Sequence, residues 1–160
     1  RSKGTRGGVS RFGAEVIRLM NDLGVMVDMS HAGEKSFYDA LSISRAPIVC
    51  SHSNCRALCD VPRNLTDDQL RAIARKGGVV HITLYHGFLR TAGEASILDA
   101  IATDFDGDGG VSGMADSSEM INFTRMLLRR RYSPEDIALI WGGNWLRVMD
   151  TVKGMAATTA

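Results

Sequence analysis

Two histidines and an aspartate stand where a fold of parallel strands collects its chemistry. His31 ends the run Val25-Met26-Val27-Asp28-Met29-Ser30, His52 follows Ile48-Val49-Cys50-Ser51, and Asp104 follows Ile101-Ala102-Thr103. In parallel α/β folds, functional side chains gather at the C-terminal ends of strands. Strand alternation sets Val25, Val27, Met29 and His31 on one face, and likewise Ile48, Cys50 and His52. In a closed barrel, the inward face would carry an imidazole at the mouth of two successive strands. A pair of neutral imidazoles so placed is raw material for a metal site. Either histidine by itself reads more simply as a hydrogen-bonded structural residue. Taken together, the structural reading and the metal reading stand level.

The elements that must position these residues follow from periodicity. Val16, Leu19, Met20 and Leu23 lie at helical spacing over 14–23, and Gly24 stops that helix. A strand over 25–29 follows. Residues 34–44 predict a second helix with Phe37, Ala40 and Leu41 on one side, and Pro47 opens a strand over 48–50. After a loop with Asn54, Pro62 and Asn64, Thr66 and Gln69 fit a capping box. Leu70, Ile73 and Ala74 form the apolar face of that helix, and Gly77-Gly78 ends it. Residues 79–84 predict a third strand, and 101–103 the tail of a fourth. Further helices are expected over 117–130, from Ser133-Pro134 with Ser133 as cap, and from Asn144 through Val152. Strands alternating with helices predict an α/β fold with a parallel sheet. Their near-continuous apolar character implies that both sheet faces are covered.

The 160 residues suffice for one domain with a real core. Nineteen Lys and Arg against 18 Asp and Glu give no electrostatic pull toward nucleic acid or an anionic membrane. No apolar run is long enough to cross a bilayer. The basic, Gly-rich start RSKGTRGGVSRFG lacks both Met and a signal-peptide pattern, so the natural start is expected upstream or removed. Cys50, Cys55 and Cys59 are odd in number and closely spaced, which argues against a disulfide framework. Free thiols suit a reducing compartment such as the cytoplasm.

Four motifs occur in a telling order: DMSH at 28–31, SHSNCRALCDVPRN at 51–64, TDFDG at 103–107 and GGNWLRV at 142–148. With the flanking RFGAEVIRLMNDLGVMV and NLTDDQLRAIARKGGVV, the chain resembles the renal (membrane) dipeptidases, zinc enzymes of the metal-dependent hydrolase (β/α)8 type. The resemblance covers nearly the whole chain. It implies the C-terminal half of a (β/α)8 (TIM-like) barrel over residues 1–155, with the N-terminal half absent and 156–160 a frayed tail. It also implies two zinc ions bridged by a glutamate and a water, and hydrolysis of dipeptides by the metal-bound hydroxide. His31 and His52 carry over as ligands of one zinc, and their separation of 21 residues matches the family. Arg63 carries over as the group that binds the substrate carboxylate, for which a guanidinium fork is suited. Asp104 carries over to amine binding or proton transfer, and Phe88 to an aromatic beside the substrate. Zinc lowers the pKa of bound water toward ~7. A dipeptidase must also sense both termini, so one cation and one anion should flank the metal.

The resemblance also implies what is missing. The family uses an H-x-D pair on its first strand, a bridging glutamate and a further substrate-contacting histidine, and no H-x-D occurs here. A full barrel takes ~250 residues. Two ligands without the bridge bind zinc weakly. The implied function is therefore dipeptidase by descent, with little or no activity in isolation. The alternative is a catalytically inactive fragment or an interaction module. A further gap is internal. Only about 16 residues separate Tyr85 from Ala102, short for a parallel crossover, so a segment is expected to be missing between Ala100 and Thr103. An incomplete barrel leaves strand edges and helix faces uncovered. Such a chain should pair with the missing half, dimerise or aggregate.

Other chemistries weigh less. Asp104-Phe105-Asp106-Gly107-Asp108-Gly109 opens like a calcium loop, but its twelfth position is Ala115, where a bidentate glutamate belongs. A Gly-rich polar turn is the simpler reading. Cys50, His52, Cys55 and Cys59 are ligand types for a structural zinc, at a spacing that matches no common zinc module. Small buried thiols are preferred. A Cys50 nucleophile activated by His52 has nothing to orient it. His81 reads as structural, and His86 has no assigned role.

Overall fold

The computed structural model describes residues 7–90 and 111–156. Helix α1 (Arg11–Asp22) begins where the Ser10 hydroxyl accepts from Gly13 N at 3.0 Å. The side-chain cap, rather than the apolar stripe, sets this start, so the helix opens before residue 14. Leu23 closes it, and Gly24 turns the chain at φ 69°. Strand β1 (Val27–Asp28), helix α2 (Glu34–Ile43), strand β2 (Ile48–Cys50), helix α3 (Asp67–Arg75) and strand β3 (Val79–Val80) follow. β1 and β2 pair in parallel, Val27 opposite Ile48 and Asp28 opposite Val49, and the sheet order is β1-β2-β3.

β1 and β3 are shorter than their apolar runs, and polar side chains explain this. Past β1, Ser30 N donates to Asp28 Oδ1 at 2.9 Å instead of extending the ladder. Past β3, Asn54 stands in for a neighbouring strand: its Oδ1 accepts from Thr83 N at 2.9 Å and its Nδ2 donates to Thr83 O at 3.0 Å.

The chain divides into two compact units. One comprises the described residues up to Ser51, Asp68–Val79 and the residues from Leu146. Phe37, Ile48, Val49, Ile73, Val148 and Val152 are buried there. Asn21, also buried, accepts from Arg45 N at 2.8 Å and Ser44 Oγ at 3.2 Å, which fixes the chain after α2. Lys76 Nζ donates to Leu41 O and Ser44 O near the end of α2.

The other unit comprises His52–Asp67 and Val80–Trp145. Its core includes Leu84, Leu89, Met114, Phe123, Leu127 and Ile137. A 3-10 turn (Ser117–Glu119) leads into α4 (Met120–Arg129). α5 (Pro134–Ala138) carries the expected Ser133 cap, here a full capping box with Asp136. The next helix, α6 (Asn144–Gly154), was expected to be separate. A π-helical segment, Leu139–Gly143, instead joins α5 to it, kinked at Gly142 with φ 152°. Trp141 Nε1 donates to Thr124 Oγ1 of α4 at 2.8 Å and so ties this segment down. The expected fourth strand and the Asp-rich loop at 104–109 lie outside the described residues. Among the described residues, no helix is long and apolar enough to cross a membrane.

Candidate metal and substrate site

His31 follows β1 in a turn closed by Ala32 N donating to Met29 O at 3.1 Å. It is exposed, with φ 67°, in the left-handed region that non-glycine residues seldom occupy. Strand alternation therefore stops at Asp28 and does not carry on to His31. The turn is organised by Asp28, whose carboxylate accepts from Ser30 N (2.9 Å), Ser51 N (3.1 Å) and Ser51 Oγ. Burial pushes the Asp28 carboxyl up, but the hydrogen bonds from Ser51 and Ser30 outweigh it and hold the group below the usual aspartate value.

His52, Arg63 and Phe88 come together in the second unit. Arg63 Nη1 donates to Ser53 Oγ at 2.9 Å and Nη2 to His52 O. The guanidinium carbon lies 5.7 Å from the centre of the Phe88 ring, within cation–π range. Phe88 is fixed in turn by two buried asparagines: Asn54 Nδ2 (3.2 Å) and Asn64 Nδ2 (2.7 Å) both donate to its carbonyl. Tyr85 packs against the Phe88 ring at 4.7 Å. The loop sequence thus builds an arginine–aromatic pair beside the His52 backbone.

Asp104 lies outside the described residues. His81 stacks on Trp145 at 4.7 Å, and its carbonyl accepts from Ser53 N at 2.7 Å, a structural role. Cys50 is buried inside β2. Cys59, also buried, reaches Gly87 O with its thiol at 3.7 Å. Burial, then the charge of Asp67, raises the Cys55 thiol pKa, which is unfavourable for a nucleophile. A groove of ≈ 350 Å³ between α2 and α3, lined by Tyr38, Leu41, Ala72 and Arg75 among others, contains none of the candidate residues.

Sequence reasoning missed Asp28, Asn54 and Asn64 as organisers. The available signals were a lone charge inside an apolar strand and asparagines within the two ends of the SHSNCRALCDVPRN motif.

Comparison with known proteins decides the family. The model of the membrane dipeptidases (peptidase family M19) matches residues 1–101 and 98–160. The chain belongs to the membrane dipeptidase family. It is 32% identical to dipeptidase aclJ of Aspergillus oryzae over 174 residues, covering 96% of this chain and 41% of the relative. It is 33% identical to human dipeptidase 3 over 164 residues, covering 91% and 34%. The crystal structure of the probable dipeptidase PvdM from Pseudomonas aeruginosa superposes with a TM-score of 0.88 at 29% identity, over 94% of this chain and 56% of that one. A metallo peptidase from Rhodobacter sphaeroides, liganded with a phosphinate mimic of the dipeptide L-Ala-D-Ala, gives 0.85 at 27% identity, over 95% and 49%. The chain thus spans about half the length of these solved structures, and less of the two curated relatives. The two family matches divide at 98–101, where the crossover looked short. Both alignments are longer than the 160-residue chain, so these dipeptidases carry residues within the aligned region that it lacks.

The membrane dipeptidases are zinc metallopeptidases. The imidazoles of His31 and His52 have the right donor chemistry for zinc. Their number falls short, because a catalytic zinc keeps three protein ligands. Among the described residues, no three His, Cys, Asp or Glu side chains gather to hold a metal ion.

Proposed function

We propose that this chain is the C-terminal half of a dipeptidase (β/α)8 barrel and contributes part of a site that hydrolyses dipeptides. The observation that carries the reading is the family match along the whole chain. In this reading, His31 and His52 are ligands of one zinc, and the remaining ligands come from residues outside these 160. Arg63 receives the substrate carboxylate. Two of its N–H groups are already engaged with Ser53 and His52, which aims the fork and leaves fewer of its five donors for a ligand. Phe88 forms the apolar wall beside Arg63. Asp104 binds the substrate amine or moves a proton. The dipeptide mimic held by the Rhodobacter relative supports a dipeptide-sized substrate. No hydrolytic step is assigned to the two histidines by themselves.

A second reading, a chain without activity of its own that works by association, is favoured by the shortfall in ligands. One experiment separates the two. Zinc is titrated by calorimetry into the metal-free chain and into His31→Ala and His52→Ala. Hydrolysis of L-Ala-D-Ala is then assayed with and without the upstream half of a bacterial relative. Zinc heat lost in both variants, with hydrolysis appearing on complementation, supports the dipeptidase reading. Zinc heat that the parent shows and both variants keep removes the histidines from the site. Zinc binding without hydrolysis on complementation favours the second reading.

A further inference from the structure

β1 and β2 end side by side in parallel, and one carboxylate serves both ends. Asp28 is opposite Val49 in the ladder, and Met29 N still donates to Val49 O at 2.8 Å. Beyond that point, the ladder gives way to Asp28. Its Oδ1 accepts from Ser30 N and Ser51 N, and its Oδ2 from Ser51 Oγ. Ser30 precedes His31, and Ser51 precedes His52. We propose that Asp28 is a positioning residue that fixes the backbone carrying His31 and the backbone leading into His52. What the two histidines then do rests on the dipeptidase reading. The clamp itself rests only on the hydrogen bonds.

Two observations, and one requirement of the dipeptidase reading, argue for a dedicated role. The three donors converge on a group that can only accept when ionised. An asparagine is uncharged and must turn its NH₂ toward either the two amides or the Ser51 hydroxyl, and a glutamate is one methylene longer. His31 is held at φ 67° within the turn that Asp28 pins at Ser30. A non-glycine residue keeps that conformation only where its surroundings impose it, and such strain concentrates at functional sites. Finally, a ligand side chain needs placement to within about 0.5 Å, and an exposed histidine on a short turn needs a fixed anchor to reach that.

The test uses the ¹⁵N-labelled full chain, with Asp28→Asn, Ser51→Ala and Ser51→Thr. Amide exchange is read at Ser30 and Ser51. The backbone coupling of His31 reports its φ, and zinc chloride titrations follow the ring resonances of His31 and His52. In Asp28→Asn, exchange at both serines should quicken by about tenfold or more, as expected on losing hydrogen bonds to a charged acceptor. The positive-φ signature of His31 should vanish, and the zinc response should weaken by a similar factor. Ser51→Ala should quicken exchange at Ser51, and Ser51→Thr, which keeps the hydroxyl, should restore the parent behaviour. Asp28→Asn that keeps both the parent exchange and the His31 coupling overturns the proposal. Should Asp28→Asn lose its cooperative unfolding transition, Ser51→Ala decides, and unchanged exchange there also overturns it. Parent rings that ignore zinc even with the upstream half of a bacterial relative present, while Asp28→Asn still frees the amides, would uphold the clamp and remove the dipeptidase reading of the histidines.

Discussion

At the scale of single residues, His31 and Asp28 make opposite contributions. A left-handed conformation at a residue with a Cβ costs on the order of 1 kcal/mol. His31→Gly should therefore leave stability unchanged or raise it by up to about 1 kcal/mol, measured as the urea midpoint, while any zinc response of the site falls. A clear loss of stability would mean that the imidazole itself supports the turn. Asp28 contributes stability that depends on its charge. Its folded-state carboxyl titrates below the ordinary aspartate value of about 3.9, as its hydrogen bonds with Ser51 and Ser30 require. The contribution is complete above that value and is lost as pH falls through the lowered one. The urea midpoint of the parent should thus fall more steeply than that of Asp28→Asn between about pH 5 and pH 2.5. Parallel profiles would show that Asp28 has the same pKa folded and unfolded. The histidines were legible because each lies in a motif just past a short apolar run. The clamp was not, because nothing in sequence spacing says which side chain replaces a ladder bond.

At the scale of elements, local signals and tertiary signals divided cleanly. Ser10 and Ser133 are caps written in the sequence, and both helices start where their hydroxyls accept. Ser133 was read correctly. Ser10 was overlooked in favour of the apolar stripe. Strand lengths were overestimated because Asp28 and Asn54 take backbone groups that the apolar runs seemed to promise to a ladder. The kinked π segment at Gly142 was invisible, since Gly142-Gly143 looks like a plain stop before Asn144. Gly78 offers a test at this scale. A Cβ there would meet Ile48 O at 2.1 Å and Ile73 Cγ2 at 2.7 Å. The glycine is what lets the chain entering β3 approach β2. Gly78→Ala should cost roughly 1–3 kcal/mol, the range for overpacking, with the upper end expected because one obstacle is backbone. Thermal unfolding measures it, and a neutral result would mean that β3 moves freely away from β2.

At the scale of the whole molecule, α1 carries an exposed apolar stripe among the described residues. Phe12, Leu19 and Leu23 are 74%, 55% and 65% exposed, and Val16 completes the stripe. These residues recur three and four apart on one helix face, the pattern of a face made to be covered. Burying a Leu or Phe side chain is worth about 1.5–3 kcal/mol. The chain should therefore self-associate, and light scattering should give a mass that rises with concentration. Phe12→Ser combined with Leu19→Lys should return it toward a monomer, whereas a clean parent monomer would remove the expectation. Helical spacing shows this stripe but not which way it faces, and the fold buries Ile17 and Asn21 instead. Each compact unit also holds a buried thiol. Cys50 is 0% exposed in the first unit and Cys59 is 1% exposed in the second. Alkylating agents attack the thiolate and need access to it. Each unit therefore carries a built-in stopwatch. The rates at which the two sites are modified, read by mass spectrometry, would time the opening of each unit separately without any label being introduced.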